Sequence, residues 1–255
     1  MFACFIIHRT IVPYFVSQEV YYCWFGGNPL PDNLKKYIKT WREQCPDYEI
    51  IEWNEHNYDV SKNVFMREAY TKKNFAYVSD YARLDIIYTY GGFYLDTDVE
   101  LLKSLDPLRI HECFLAREIS CDVNTGLIIG AVKGHHFLKS NMSIYDKSDL
   151  TSLNKTCVEV TTNLLINRGL KNKNIIQKID DITIYPRNYF NPKNLLTGKV
   201  DCLTSVTYSI HHYEGSWKSS SFISDSLKIR VRLIIDFLFG YGTYRMLLRF
   251  LKLKK

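Results

Sequence analysis

An α/β fold built on a mainly parallel sheet is the class this sequence predicts, and three observations predict it. Residues 20–53 run as apolar stretch, glycine loop, amphipathic stretch, apolar stretch, which is the pattern of a βαβ unit. A long helical pattern over residues 74–90 leads straight into another short apolar run, so the alternation continues. No linker is read as dividing the 255 residues, a length that suits one large domain or two small ones.

The elements follow in order. Val20–Phe25 is an apolar run ending at Gly26-Gly27, as a buried strand entering a tight loop would. Pro29-Leu30-Pro31-Asp32 leads to a helix over about 33–44, with Asp32 as N-cap and Leu34, Tyr37, Ile38 and Trp41 as its apolar stripe. Tyr48–Trp53 is the second strand. Asn74–Tyr90 is a long helix that Asn74 can cap. Tyr77, Tyr81, Leu84 and Tyr88 form one face, and Asp80, Arg83 and Ile87 another. Gly91-Gly92 ends it and lets the chain turn tightly. Phe93–Leu95 is the next strand and delivers Asp96 and Asp98. Phe114–Ala116 and Leu127–Ala131 read as short strands, His135–Tyr145 and Leu153–Asn167 as helices, and Ile182–Tyr185 and Val206–His211 as late strands. The expected division is one α/β domain over residues 1–226 and a basic helical tail over 227–255.

Composition narrows the functional classes. Hydrophobic content of 46% with 15% aromatic residues excludes a disordered chain. The net charge of +6 is carried by the tail, where eight Lys or Arg stand against Asp236 alone. The body is therefore not basic, and a general nucleic-acid surface is not expected. Seven cysteines without C-x-x-C spacing make neither a disulfide framework nor a zinc site, and fit free thiols in a reducing cytosol. The apolar N-terminus contains His8, Arg9 and Pro13. It makes a poor signal peptide and is shorter than the roughly 20 residues of a membrane span. A cytoplasmic protein, soluble or peripheral on the membrane, is the expectation.

The chemistry concentrates at Gly91-Gly92-Phe93-Tyr94-Leu95-Asp96-Thr97-Asp98. Two carboxylates at i and i+2 past a strand share one face. There they can converge on a hard divalent cation that keeps positions open for phosphate oxygens. A bare Asp-x-Asp is more often a polar turn, so context decides. Tyr22–Pro31, Tyr77–Asp85 and Gly91–Glu100 together resemble the sugar-nucleotide glycosyltransferases that carry a DXD motif. They look most like family 32, the bacterial capsular-polysaccharide and glycolipid enzymes related to yeast mannosyltransferases. The glucosylating toxins of clostridia share the core pattern. The likeness covers about residues 20–217, with the three blocks in the family's order.

The resemblance implies a GT-A fold, a nucleotide-binding α/β sandwich with a mainly parallel central sheet. It also implies a UDP-linked sugar donor, Mn²⁺ or Mg²⁺, and retention of anomeric configuration. By the same resemblance Asp98 is the direct metal ligand. Asp96 reaches the metal through water or holds the ribose and donor sugar. Trp24 packs on the base, where the plain alternative is a core Trp. Asp80 and Arg83 sit at the donor sugar and phosphate, where the alternative is a surface i, i+3 pair. Tyr94 contacts the nucleotide or packs. In His211-His212-Tyr213-Glu214-Gly215-Ser216-Trp217, relatives place a metal-binding His three residues before Gly. His212 fits that spacing and leaves His211 on the opposite face. An imidazole ligand favours manganese mildly. Ser216 and Trp217 match an element that closes over the diphosphate, and Lys218 is a further phosphate contact or a solvated lysine. Asn124 lies where relatives place an amide on the sugar face away from the metal, as a donor-sugar or acceptor contact. Residues 1–19 match nothing in the family, whose usual Ile-Pro-Lys entry and preceding His are missing here.

The tail has Arg245, Arg249 and Lys252 on one helical face and Tyr244, Leu247, Leu248 and Leu251 on another, with a break at Gly240 and Gly242. A basic amphipathic helix suits an anionic membrane surface and an enzyme with a lipid-linked or oligosaccharide acceptor. A helix packed on the domain is the alternative. Two other functions compete: a haloacid-dehalogenase-like phosphatase, whose first motif is also Asp-x-Asp, and a non-catalytic sugar-nucleotide-binding module. The phosphatase would place its nucleophile near the start of the fold, whereas Asp96 arrives late.

Overall fold

The structure is a computed structural model. It describes residues 16–118, 122–153, 155–194, 197–214 and 243–252, with positions 231, 234, 235, 238 and 239. The first unit is the expected βαβ: β1 (Glu19–Cys23), α1 (Asp32–Gln44) and β2 (Glu49–Trp53), with β1 and β2 parallel. Val20 and Tyr22 face one hydrophobic layer, with Trp41 and Ile38 of α1, while Tyr21 and Cys23 face the other. A strand covered on both faces reads as a continuous apolar run, which is why residues 20–23 lack alternation. β1 ends earlier than its sequence suggests, because Gly26 and Gly27 take φ of +104° and +69° and turn the chain out of the sheet. Asp32 is the first helical residue of α1, not its cap; Pro31 holds the cap position and Asp32 pairs with Lys35 at 2.8 Å. Trp41 is fully buried and donates its indole N–H to Val99 O at 2.6 Å. Truncating such a residue costs roughly 3–5 kcal/mol.

Two helices follow. α2 (Val64–Thr71) is capped by Asn63 through Met66 N–H and has no counterpart in the sequence reading. α3 (Phe75–Tyr90) starts one residue after Asn74, whose side chain makes no capping bond. α3 is buried on several sides, at Val78, Asp80, Tyr81, Arg83, Leu84 and Ile87 among others. It packs against the sheet and against α2 and α4 (His136–Asp146). Gly91 and Gly92, at φ of +79° and +91°, turn the chain into β3 (Gly92–Tyr94).

The remaining strands are β4 (Val99–Leu101), β5 (Cys113–Ala116), β6 (Ile129–Ala131), β7 (Gln177–Ile179), β8 (Ile182–Tyr185) and β9 (Ser209–His211). Between them lie α5 (Cys157–Asn167), closed by a Thr156–Glu159 capping box, and the short α6 (Arg187–Phe190). The central sheet has the order β2-β1-β3-β6-β5-β8-β7. Only β6 and β7 run against the other strands, so the α/β class with a mainly parallel sheet stands. A separate antiparallel pair, β4 with β9, aligns Val99 with His211 and Leu101 with Ser209.

At the C-terminal end, α7 (Thr243–Lys252) leaves Met246, Leu247, Leu248, Phe250 and Leu251 exposed. The side chains of Arg245, Arg249 and Lys252, and the break expected at Gly240 and Gly242, lie outside the described residues. No described helix is long and apolar enough to cross a membrane. Among the described residues Cys23, Cys45, Cys113, Cys157 and Cys202 are free.

Candidate active site

The carboxyl ends of β1, β3 and β5 open on the same side of the sheet, where α/β folds place their ligands. Trp24 follows β1, Asp96 and Asp98 follow β3, and Glu118 follows β5. Asp96 is fixed by its backbone: its N–H donates to Gly126 O at 2.9 Å. A Cβ on Gly126 would collide with the Asp96 carboxylate and come within 2.9 Å of Arg83 Nη1. Glycine there leaves the cradle in which the carboxylate sits.

Asp80 and Arg83 do not form the surface pair that their spacing allows. Both are buried, with Arg83 Nη1 at 3.2 Å from Asp80 Oδ1 and Nη2 at 3.3 Å from Asp96 Oδ1. The guanidinium also lies over the Tyr94 ring, 5.0 Å from its centre. Tyr94 is buried and donates its hydroxyl to Asp96 Oδ1 at 2.9 Å. Burial pushes the Asp80 carboxyl up, and the Arg83 charge opposes this. Burial works against the Arg83 charge, but Asp96, Tyr94 and Asp80 outweigh it and hold Arg83 firmly protonated. Burial, then the Asp96 charge, raises the Tyr94 phenol, so it remains a donor.

The second DXD carboxylate meets β9. Here the structure corrects the expected register. His211 Nε2 lies 3.1 Å from Asp98 Oδ1, whereas His212 Nε2 contacts Glu100 Oε2 at 2.7 Å and its ring stacks on Tyr37 at 4.3 Å. The reason is strand pairing together with the turn that carries Asp98. Val99 opposes His211, so His211 shares the inner face of the ribbon and His212 shares the other face with Glu100. Asp98 precedes β4 in a turn closed by Val99 N–H to Asp96 O at 3.0 Å, and its side chain swings inward. Glu214 N–H donates to Asp98 Oδ2 at 3.0 Å. The intervening Tyr213 takes φ of +57°, a costly conformation for an aromatic residue. Burial alone would raise the Asp98 carboxyl. The His211 charge and hydrogen bond and the Glu214 N–H outweigh it and hold Asp98 below the usual range. Burial likewise opposes protonation of His211, but Asp98 and Glu118 raise it well above an ordinary histidine.

Asp96, Asp98 and His211 each offer a ligand atom, all within 4.8 Å of one another. Two carboxylates and one imidazole suit Mn²⁺ or Mg²⁺, and such a site retains positions for phosphate oxygens. The residues present therefore fit a divalent cation, with His211 in the place expected for His212. His211→Ala is expected to weaken Mn²⁺ binding by at least the ~10–100-fold that loss of an outer-shell partner costs. His212→Ala should stay within about a few-fold of wild type, since the outer-shell cost applies only to groups that hold a ligand. Calorimetric Mn²⁺ titration of both variants decides the register, and the reverse order would sink it.

Asn124 is buried, accepting from Gly126 N–H at 2.7 Å and donating to Glu118 Oε1 at 2.8 Å. Trp24 is half-buried, packs against the α1-side core and donates its indole N–H to Asn28 O at 2.7 Å. Ser216, Trp217, Gly215 and Lys218 lie outside the described residues. The sequence reading missed Glu118, Gly126 and Cys157, whose Sγ lies 3.6 Å from Arg83 Nη1. A signal existed for Glu118, an acidic residue just past the apolar run Cys113–Ala116.

Residues 31–115 match the family described as a glycosyltransferase sugar-binding region containing a DXD motif. Asp96-Thr97-Asp98 lies within the matched residues. Inositol phosphoceramide mannosyltransferase 3 of Schizosaccharomyces pombe is 31% identical over 119 residues, 44% of this chain and 32% of that protein. This chain therefore spans about a third of the length of that relative. An uncharacterized glycosyltransferase of Acanthamoeba polyphaga mimivirus is 26% identical over 215 residues, 79% of this chain and 84% of the relative. Among solved structures, the PaToxG glycosyltransferase has a TM-score of 0.49 at 14% identity, covering 60% of this chain and 68% of that one.

Proposed function

We propose that this chain is a retaining, divalent-cation-dependent glycosyltransferase. It transfers a sugar from a UDP-linked donor to an oligosaccharide or lipid-linked acceptor. The observation that carries the reading is the convergence of Asp96, Asp98 and His211 beside buried Arg83, at the carboxyl ends of the strands. These three side chains hold Mn²⁺ or Mg²⁺, which when bound neutralises the charge developing on the leaving diphosphate. Asp80 and Arg83 orient Asp96 and line the donor sugar. Trp24 faces the base, and Ser216 and Trp217 close over the diphosphate. Tyr94 holds Asp96 through its hydroxyl. Glu118, the buried carboxylate nearby, is engaged with Asn124 and His211. That leaves front-side attack on the retained face as the preferred course. The mannosyl transfer in the yeast relative's name adds mannose to the candidate sugars.

The tail of residues 227–255 is assigned to an anionic membrane surface, on the cytoplasmic side. The exposed apolar residues of α7 and the basic residues of the segment support this, at roughly 1 kcal/mol per basic residue near anionic lipid. A thermal-shift screen of UDP-glucose, UDP-galactose and GDP-mannose with Mn²⁺ tests the donor. A ligand at 100 times its Kd adds about 2.7 kcal/mol, or roughly 5–10 °C for a chain of this size. Anionic vesicles, in low and high salt, test the tail. No stabilisation by any nucleotide sugar, or release of inorganic phosphate from phosphomonoesters, would overturn the transferase reading.

A further inference from the structure

The two DXD carboxylates are joined by a second route besides the chain between them. Asp96 N–H donates to Gly126 O at 2.9 Å, and Gly126 N–H donates to Asn124 Oδ1 at 2.7 Å. Asn124 Nδ2 donates to Glu118 Oε1 at 2.8 Å, and the same oxygen lies 3.3 Å from His211 Nδ1. His211 Nε2 closes the loop on Asp98 Oδ1 at 3.1 Å. Every side chain on this route is largely enclosed: Asn124, Glu118 and His211 are 7%, 9% and 6% exposed. Glu118 is itself anchored, with its N–H on Asp122 O at 2.7 Å and its carbonyl accepting from Asn191 Nδ2 at 3.4 Å. Tyr213 covers the His211 ring at 4.4 Å and leaves it little freedom to turn.

From this geometry we infer that Glu118 is a positioning residue for the cation site: its Oε1 fixes the orientation and tautomer of His211 and the seat of Asp96. A histidine that ligates through one nitrogen needs its other N–H held, and a buried carboxylate is the usual holder. Glu118 faces Nδ1, so Nε2 is the nitrogen turned toward Asp98. Through Asn124 the same oxygen fixes Gly126, whose carbonyl holds the Asp96 backbone N–H and whose missing Cβ leaves room for the Asp96 carboxylate. One atom thus sets both ends of the ligand set. The inference rests on the donor-site reading above and adds to it a residue that touches neither cation nor sugar.

The test measures Mn²⁺ affinity in the presence of UDP, from the electron spin resonance signal of free Mn²⁺, for Glu118→Leu and Glu118→Gln in the wild-type and His211→Ala backgrounds. Glu118→Leu is expected to weaken binding by about 10–100-fold. Glu118→Gln keeps a carbonyl oxygen for both Asn124 Nδ2 and His211 Nδ1, so it should retain most of the affinity. In the His211→Ala background the Glu118→Leu effect should shrink to the part carried through Asn124 and Gly126 to Asp96, because residues acting through one another are non-additive. Unchanged affinity in Glu118→Leu, or an equal loss in both backgrounds, overturns the positioning role. If Glu118→Leu does not fold, imidazole ¹⁵N spectra of the wild-type protein with Mg²⁺ and UDP decide. A proton on His211 Nδ1 is expected, and a proton on Nε2 overturns the proposal. A wild-type protein that binds no Mn²⁺ with UDP overturns the donor-site reading itself, whereas wild-type binding matched by Glu118→Leu removes only Glu118's part.

Discussion

Asp98→Asn should lower the rate of sugar transfer by about 10²–10³-fold or more while leaving the fold in place. Asp98 is the carboxylate that His211 and the Glu214 N–H converge on, and the surrounding charges keep it ionised. Asparagine has the same shape and still accepts a hydrogen bond from His211. What it lacks is the negative charge that makes a carboxylate hold a divalent cation more tightly than a neutral amide oxygen does. The loss should therefore appear in Mn²⁺ affinity and in turnover, with only a small change in melting temperature. Steady-state transfer measured across a Mn²⁺ titration, beside a thermal melt, separates these effects. Near-normal turnover with unchanged metal dependence would show that the cation is held elsewhere.

Arg83→Met should be the most destabilising change at the site, by about 3–5 kcal/mol, because it leaves buried charge without a partner. Arg83 is 4% exposed and Asp80 6%, and Asp96 shares the guanidinium. Removing the cation strands the Asp80 carboxylate in a setting that already pushes its pKa up. For a chain of this length each kcal/mol is worth roughly 2–4 °C, so a fall of about 6–20 °C is expected. The double variant Asp80→Asn with Arg83→Met should recover part of the loss, since it removes the stranded charge as well. Urea denaturation of the single and double variants measures both quantities. A loss below about 1 kcal/mol would mean that the pair behaves as an ordinary solvent-exposed ion pair.

The comparison of His211 with His212 shows where sequence reasoning stopped. Motif spacing pointed to His212, and nothing local distinguishes the two imidazoles. The choice was made by Val99, which lies more than a hundred residues earlier and pairs with His211 across the β4–β9 ribbon. Shifting a strand register by one residue exchanges its two faces; the pairing puts His212 on the face of Glu100, and the turn ahead of β4 swings the Asp98 side chain to His211. Glu118 was passed over for a related reason: its place just past the apolar run Cys113–Ala116 was the one signal it gave, and that does not say what it faces. It acquires a role only when β5 and β9 bring it to His211. Asn124 was noticed from its motif, and the structure adds that its amide links Gly126 to Glu118.

By itself the sequence determined the elements whose signals are local. These are the βαβ start, the long α3, the glycine pair after it and the DXD turn, because apolar periodicity and glycine's freedom at positive φ act within a few residues. The tertiary structure decided what depends on partners far apart in the chain. It buried the Asp80–Arg83 pair that i, i+3 spacing alone would leave at the surface, and it brought Asp96, Asp98 and His211 within ligand distance. It also fixed the direction of β6 and β7. Strand pairing and burial are non-local, so their consequences for side-chain direction and charge cannot be read from spacing, and at this site they set which histidine stands beside the two DXD carboxylates.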